Sequence, residues 1–267
     1  MRYNNNYFVA EDIKTNKITY GFFSKEEGCS KGNYDSLNCS YSSGDNRKLV
    51  TANINIAKKK LGLENSKLKL IRQIHSNKVE IINQKNLNEK IVADGSITKN
   101  KNIALAIMTA DCAPIFIFDL DCSFICCLHI GWKGCLNNIV EIAVKIITKI
   151  TSQELIAIVG PCLCKENFEV EEKFKDVFIT QDLHYENFFS IKSNQHKPHF
   201  DMRGLINYQL QSCFVNQISN VDIDTYSNEH LFFSHRRSSH LCTLPTGRLI
   251  NLIGFRALPK NFLNLIY

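Results

Sequence analysis

No stretch of the sequence approaches the run of about 18 apolar residues that a membrane-spanning helix needs. The opening MRYNNNYFVAEDIK also lacks the apolar core of a secretory signal. These absences point to a soluble chain with no membrane partner and a cytoplasmic setting. Proline is scarce, at five residues, and no Pro/Ser-rich stretch or internal repeat divides the 267 residues, so one domain over 1–267 is expected. A regular cysteine framework is missing too: the eleven cysteines are an odd number and fall mostly in apolar runs such as SFICCLHI. Reduced thiols follow. Charge of one sign is not concentrated, because the net +6 is spread along the chain, which favours small anions without requiring a nucleic-acid partner. The longest basic run, Lys58-Lys59-Lys60, sits late in a helical pattern and reads as a solvated face.

What is present is a 44% hydrophobic chain, long enough to bury a substantial core, whose patterns alternate between helix and strand. YFVAEDI, KTNK and ITYGFF read as strand, turn and strand, and a Gly/Ser/Asn-rich loop from Gly28 to Asp45 follows. Apolar residues Val50, Ile54, Ala57 and Leu61 recur at helical spacing, with Gly62 as a stop. KLKLIRQIH, KVEII, NIALAIM, PIFIFD and SFICCLHI are strand-like, several of them apolar on consecutive positions as if covered on both faces. SFICCLHI, a helix carrying Ile139, Ala143 and Ile146, and then ELIAIVG have the order of a parallel crossover. Helices are expected over Phe168–Ile179 and Met202–Ile218, and strands at VDIDTY, LFFSH and RLINLI. The class is α/β, with helices packed on mixed sheets.

Three strand-like runs end in a metal-ligand side chain and break into turns: His75 in RQIHSN, Cys112 in MTADCAP and His129 in CLHIGWKG. A His, Cys, His set suits Zn²⁺ and leaves a fourth position open, as catalytic sites do. The spacing is no local zinc motif, and each residue also reads as a satisfied core side chain. Asp111 precedes Cys112, and the two share a pocket only if the chain turns there, as Pro114 allows. Asp111 is then a candidate general acid or base, against a turn aspartate bonding its own backbone. Cys112 with His129 also reads as a thiolate and its base. Gly131-Trp132-Lys133-Gly134 opens a helix and is a candidate anion site, with Lys133 adding charge. Arg236, Arg237 and Arg248 bracket a loop and are candidate phosphate ligands, or a solvated basic loop. Cys162 and Cys164 read as packing residues, and His184, His196 and His199 as surface residues.

Gln73-Ile-His75, Ala93-Asp94-Gly95, Thr109 through Pro114, His129 through Gly134, Gly160-Pro-Cys162 with Phe168-Glu-Val170, Asn207 through Leu210, and Phe232 through Arg237 with Thr246-Gly-Arg248 occur in one order. Together they resemble the laccase-domain family, formerly multicopper polyphenol oxidases and now regarded as purine nucleoside phosphorylases. The resemblance implies a four-layer α/β/β/α sandwich and a zinc held by His75, Cys112 and His129. It also implies phosphorolysis of adenosine, inosine and methylthioadenosine, with adenosine deamination as a second activity, so the expected partners are purine nucleosides and inorganic phosphate. On this reading Asp111 is the acid or base, Lys133, Arg236 and Arg237 cradle phosphate, and Asn38 contacts sugar or base. Copper is disfavoured, because multicopper centres need His-X-His clusters and the eight histidines form none. The chain departs from the family at Lys133 and Ile54, where arginines are usual, at Asp224 in place of cysteine, and in a lengthened loop SSHLCTLP. Alternatives are a cysteine or zinc hydrolase acting on an amide such as a cell-wall precursor, a copper oxidase, and an inactive zinc-stabilised interaction protein.

Overall fold

A computed structural model describes residues 1–191 and 197–256. In chain order it contains β1 (Arg2–Tyr3), β2 (Tyr7–Val9), β3 (Ile18–Phe23), α1 (Arg47–Lys60), β4 (Lys67–Leu70), β5 (Val79–Ile81) and β6 (Gly95–Thr98). There follow β7 (Ile103–Thr109), β8 (Ala113–Asp119), β9 (Ile125–Ile130), α2 (Trp132–Leu136), α3 (Ile139–Ile147) and β10 (Leu155–Val159). The remainder is α4 (Glu172–Gln181), β11 (Phe189–Ile191), β12 (Pro198–Phe200), α5 (Met202–Ser212), β13 (Gln217–Asn220), α6 (His235–His240) and β14 (Leu249–Phe255). Among the described residues no helix is long and apolar enough to cross a membrane.

Two mixed sheets, ordered β1-β2-β3-β14-β7-β4 and β13-β10-β8-β9-β6-β5, lie face to face, and β11 and β12 form a separate ribbon. The period of two along each strand sorts side chains into three cores. Along β8, Ile115 and Ile117 join a core with α2, α3 and α5. Phe116 and Phe118 point the other way, into a core shared with Tyr20, Phe22, Leu105 and Ile253 of the first sheet. The far face of that sheet, through Ala104, Ala106, Ile250 and Leu252, packs on Val50, Ile54 and Ala57 of α1. This is the four-layer α/β/β/α sandwich. Strands buried on both faces explain the unbroken apolar runs of β7 to β10.

Strands β9 and β10 each pair antiparallel with β8, so they run parallel to each other with α2 and α3 between them. Helix α1 starts at an Asn46 cap, whose side chain accepts from the Lys48 N–H, and stops before Gly62, which takes a φ of +68°. Four expectations are corrected. Helix α4 begins at Glu172, because Glu169 lies in extended backbone that bridges His199. Helix α5 ends at Ser212, and Ile218 belongs to β13. VDIDTY and LFFSH form no strands; Phe232 and Phe233 instead drop their rings into the core between the sheets. His199 is buried, not at the surface, while His196 falls outside the described residues.

Candidate active site and metal centre

The loop after β4 carries His75, with a positive φ of 59°. It is held by one carboxylate: Asp94 accepts from the backbone N–H groups of Ile74, His75 and Ser76 and from the Ser76 hydroxyl. Asp94 stands at the entry to β6, fully buried, and its Oδ1 also lies 2.8 Å from Nδ1 of His129 on β9. That contact fixes the imidazole and leaves Nε2 for the cluster. Burial alone would raise the Asp94 carboxyl, but the hydrogen bonds from His129 and Ser76 outweigh it and hold the group down at about 2. Cys112 arrives from the turn between β7 and β8, where Asp111 takes a φ of +86°.

The turn brings the three side chains together: one ligand atom from each of His75, Cys112 and His129 lies within 4.8 Å of the others. Four-coordinate zinc, with nitrogen at about 2.0–2.1 Å and sulfur at about 2.3 Å, sets neighbouring donors about 3.5 Å apart. Cys112 Sγ lies 3.6 Å from His75 Nε2. His129 is buried, Cys112 half-buried and His75 exposed, so the group has a protein side and an open side. Gly131 leaves room for it, since a Cβ there would stand 2.9 Å from the His75 ring and 3.0 Å from Cys112 Sγ. Burial would raise the Cys112 thiol, yet His129 and His75 pull it down to about 6. Burial would likewise depress His129, and the Cys112 sulfur with Asp94 pushes it up instead, to about 9. The opposed shifts favour negative charge on the sulfur beside positive charge on the ring, the polarity a bound cation would also meet. This group can hold a metal ion.

The open side faces a cavity of about 960 Å³ lined by the three ligand candidates, Asp111, His235, Arg236 and Arg248, with Leu70, Ala106, Met108, Trp132 and Phe168 among its apolar walls. A second cavity, of about 840 Å³, lies under the N-terminal hairpin and shares none of these residues. Asp111 is buried, and its two oxygens accept from the Thr225 hydroxyl at 2.7 Å and the Arg236 N–H at 2.6 Å. The Arg236 guanidinium donates to the Glu169 carbonyl at 2.8 Å and sits 5.3 Å from the centre of the Phe168 ring. Arg248 turns one Nη onto the carbonyls of Thr246 and Gly247. Burial lowers the pKa of its guanidinium against the opposing pull of Cys112 and Asp111. His235 is shifted toward its neutral form by burial and by Arg248.

Three residues expected at the substrate sit elsewhere. Asn38 is fully buried, donating to Ser43 and Asp45 and accepting from the N–H groups of Ser40 and Arg248, so its amide positions Arg248 rather than facing the cavity. The Arg237 guanidinium is taken up by the carbonyls of Thr225, Tyr226 and Phe232. Lys133 is exposed on α2 with its ammonium 5.4 Å from the centre of the Trp132 ring, outside the cavity lining. Ile54 is buried against the first sheet, and Asp224 ties the Cys164 N–H, Asn167 and Ser227 into one turn.

Residues 19–256 match the family described as multi-copper polyphenol oxidoreductase laccase. The chain belongs to this family. A relative from Rickettsia conorii named purine nucleoside phosphorylase is 36% identical over 178 residues, covering 64% of this chain and 71% of its own. One from Bacteroides thetaiotaomicron with the same name is 26% identical over 247 residues, 88% of this chain and 90% of its own. Among solved structures, a Neisseria meningitidis protein superposes with a TM-score of 0.83 at 25% identity, covering 95% of this chain and all of its own (100%). YlmD from Geobacillus stearothermophilus reaches 0.84 at 21% identity, covering 96% and 98%. In this laccase-family chain, Asp94 and His235 do not stand out as site residues from their sequence alone. The signals were there: Asp94 stands in Ala93-Asp94-Gly95 and His235 inside Phe232 through Arg237. A hydrogen-bond partner, unlike a ligand, leaves no mark in residue type.

Proposed function

We propose that the chain is a zinc-dependent, cytoplasmic purine nucleoside phosphorylase, converting adenosine, inosine and methylthioadenosine to free base and sugar 1-phosphate, with adenosine deamination as a second activity. The observation that supports this reading is one cavity where a His/Cys/His group with an open side meets two half-buried arginines and a buried carboxylate. The names of the relatives support the nucleoside class, and eleven free thiols support a reducing compartment. His75, Cys112 and His129 would hold the zinc, which when bound supplies a Lewis acid that polarises substrate or water.

The remaining chemistry belongs to the chain. Arg248 and Arg236, half-buried in the cavity lining, draw phosphate into it, where their charge is screened less than at the surface. Neutral His235 adds a hydrogen bond without fixing a further charge. Asp111, held by the Thr225 hydroxyl and the Arg236 N–H, takes the proton that hydrogen phosphate brings and passes it to the departing base. Leu70, Ala106 and Met108 give the planar base an apolar surface.

The decisive experiment incubates metal-analysed protein with each nucleoside, with and without phosphate, and resolves the products by chromatography. Free base and sugar 1-phosphate are expected only with phosphate, inosine is expected from adenosine, and both are lost in His75→Ala. No product from zinc-loaded protein overturns the reading. Cleavage of an amide independent of phosphate would point instead to Cys112 as a nucleophile with His129 as its base, a pairing their opposed pKa shifts favour.

A further inference from the structure

Lys69 is a lysine in the interior, 2% exposed, on the edge strand β4. Its neighbours Leu68 and Leu70 pack toward α1, and the alternation of the strand sends Lys69 to the opposite side. There the ammonium donates to three backbone carbonyls, Asn86 at 2.9 Å, Leu87 at 2.8 Å and Glu89 at 2.8 Å. Three donors meet three acceptors, so the group is saturated, and its partners are carbonyl dipoles turned inward around a cation. A buried ammonium is costly, and an apolar residue would serve a mere core position better. The arrangement is a loop folded around a charge.

That loop forms part of the cavity. Its next residues, Glu89, Lys90 and Ile91, line the wall beside Leu70, Ile71 and Arg72. Its far end is tied to the strand side by the Arg72 N–H, which donates to the Ile91 carbonyl at 2.8 Å. Leu70 and Ala106 are register partners on β4 and β7, and Met108 continues the same face, giving an apolar floor next to this wall. The floor suits a planar base, whereas Arg248 and His235 lie on the side of Asp111 and the metal group.

We propose that Lys69 is a positioning residue of the nucleoside site: its buried ammonium gathers the 86–89 carbonyls and thereby sets the 89–91 wall against the organic part of the substrate. This rests on the nucleoside reading above, so its test carries a readout independent of activity. Lys69→Met removes the charge at similar volume. The expected result is a rise of about tenfold in KM for the nucleoside, with kcat, KM for phosphate and metal content each within about twofold of the parent, the pattern of lost ground-state binding. Trypsin should also cut faster after Lys85 and Lys90. An active parent whose variant keeps its nucleoside KM overturns the proposal. If the parent itself turns over no nucleoside, that failure belongs to the nucleoside reading, and unchanged cleavage at Lys85 and Lys90 then overturns the clamp. If Lys69→Met does not fold, Ile91→Ala carries the test with the clamp intact, and an unchanged nucleoside KM there overturns the placement of the wall.

Discussion

Asp94 has no exposure to solvent, yet it receives donors from the His75 loop and from the His129 ring, so one carboxylate sets two of the three ligand positions. Asp94→Asn keeps the size but turns one acceptor oxygen into a donor facing other donors. The expected outcome is a loss of roughly 10- to 100-fold in metal affinity, read by competition with a chromogenic chelator, with overall fold retained by circular dichroism. Gly131→Ala is expected to lower metal content in purified protein through crowding alone, because its Cβ would press on the His75 ring and Cys112 sulfur. Arg248→Met should raise KM for phosphate by about tenfold or more and leave KM for nucleoside near its parent value, as the loss of a charge-assisted contact to one substrate requires. At this scale residue chemistry was legible and orientation was not. Nothing in the sequence distinguishes Arg237, spent on three carbonyls, from Arg236, which reaches the cavity. Asn38 likewise reads as a polar loop residue until its four internal hydrogen bonds are seen.

Elements with a clean period could be read directly. Helix α1 shows its apolar face and its Gly62 stop in the sequence, and it runs where these place it. Ile54 on that face is 5% exposed. Ile54→Ala should cost about 2–5 kcal/mol, measured as a shift in the urea midpoint without a change in metal content. That outcome would make the position a matter of packing, whatever residue relatives carry there. The errors fell where an apolar run has no regular partner. Phe168 and Val170 look like the first turn of a helix, but they pair with β12 instead, the Phe168 carbonyl accepting from the Phe200 N–H and the Val170 N–H donating to the Pro198 carbonyl. Leu231, Phe232 and Phe233 look like a strand, and they are a bend whose rings fill the space between sheets. The short GSIT strand, β6, was missed because it is polar and Gly-containing, and it forms through pairing with β5 and β9. The turn around Asp224 has its own pH signature. Burial opposes ionisation, but hydrogen bonds from the Cys164 N–H, Ser227 and Asn167 outweigh it and hold the carboxyl below its ordinary range. The contribution is therefore complete above the unfolded pKa of about 3.9 and is lost as pH falls through the lower folded value. The stability difference between parent and Asp224→Asn should shrink on acidification below about pH 4, as followed by denaturant midpoints.

On the scale of the molecule, the site lies at the seam between two sheets. His75 comes from the connection after β4 of the first sheet, His129 from β9 of the second, and Cys112 from the turn that passes from one to the other. A metal bound there joins both layers, so at about a hundredfold excess over Kd it should add about 2.7 kcal/mol to stability. That corresponds to a melting temperature roughly 5–10 °C higher, and a chelator should reverse the gain in a thermal scan. The α/β class with strands covered on both faces was legible in unbroken apolar runs, the four layers followed from the family resemblance, and the seam was not legible, because registers between sheets are written in no single segment.

The dispersal of the three ligands along the chain, 37 and 17 residues apart, has a consequence for the order of events in a cell. An unfolded chain offers each ligand singly, with long loops to close before two can meet, and so competes poorly for metal. The sandwich must assemble first, around its apolar layers, and only then does a receptor exist whose exposed edge is His75. An ion bound there would thus be a late arrival that locks a finished fold, not a nucleus around which the chain collapses. Protein made under metal starvation should accumulate folded and empty, ready to be charged by adding the ion alone.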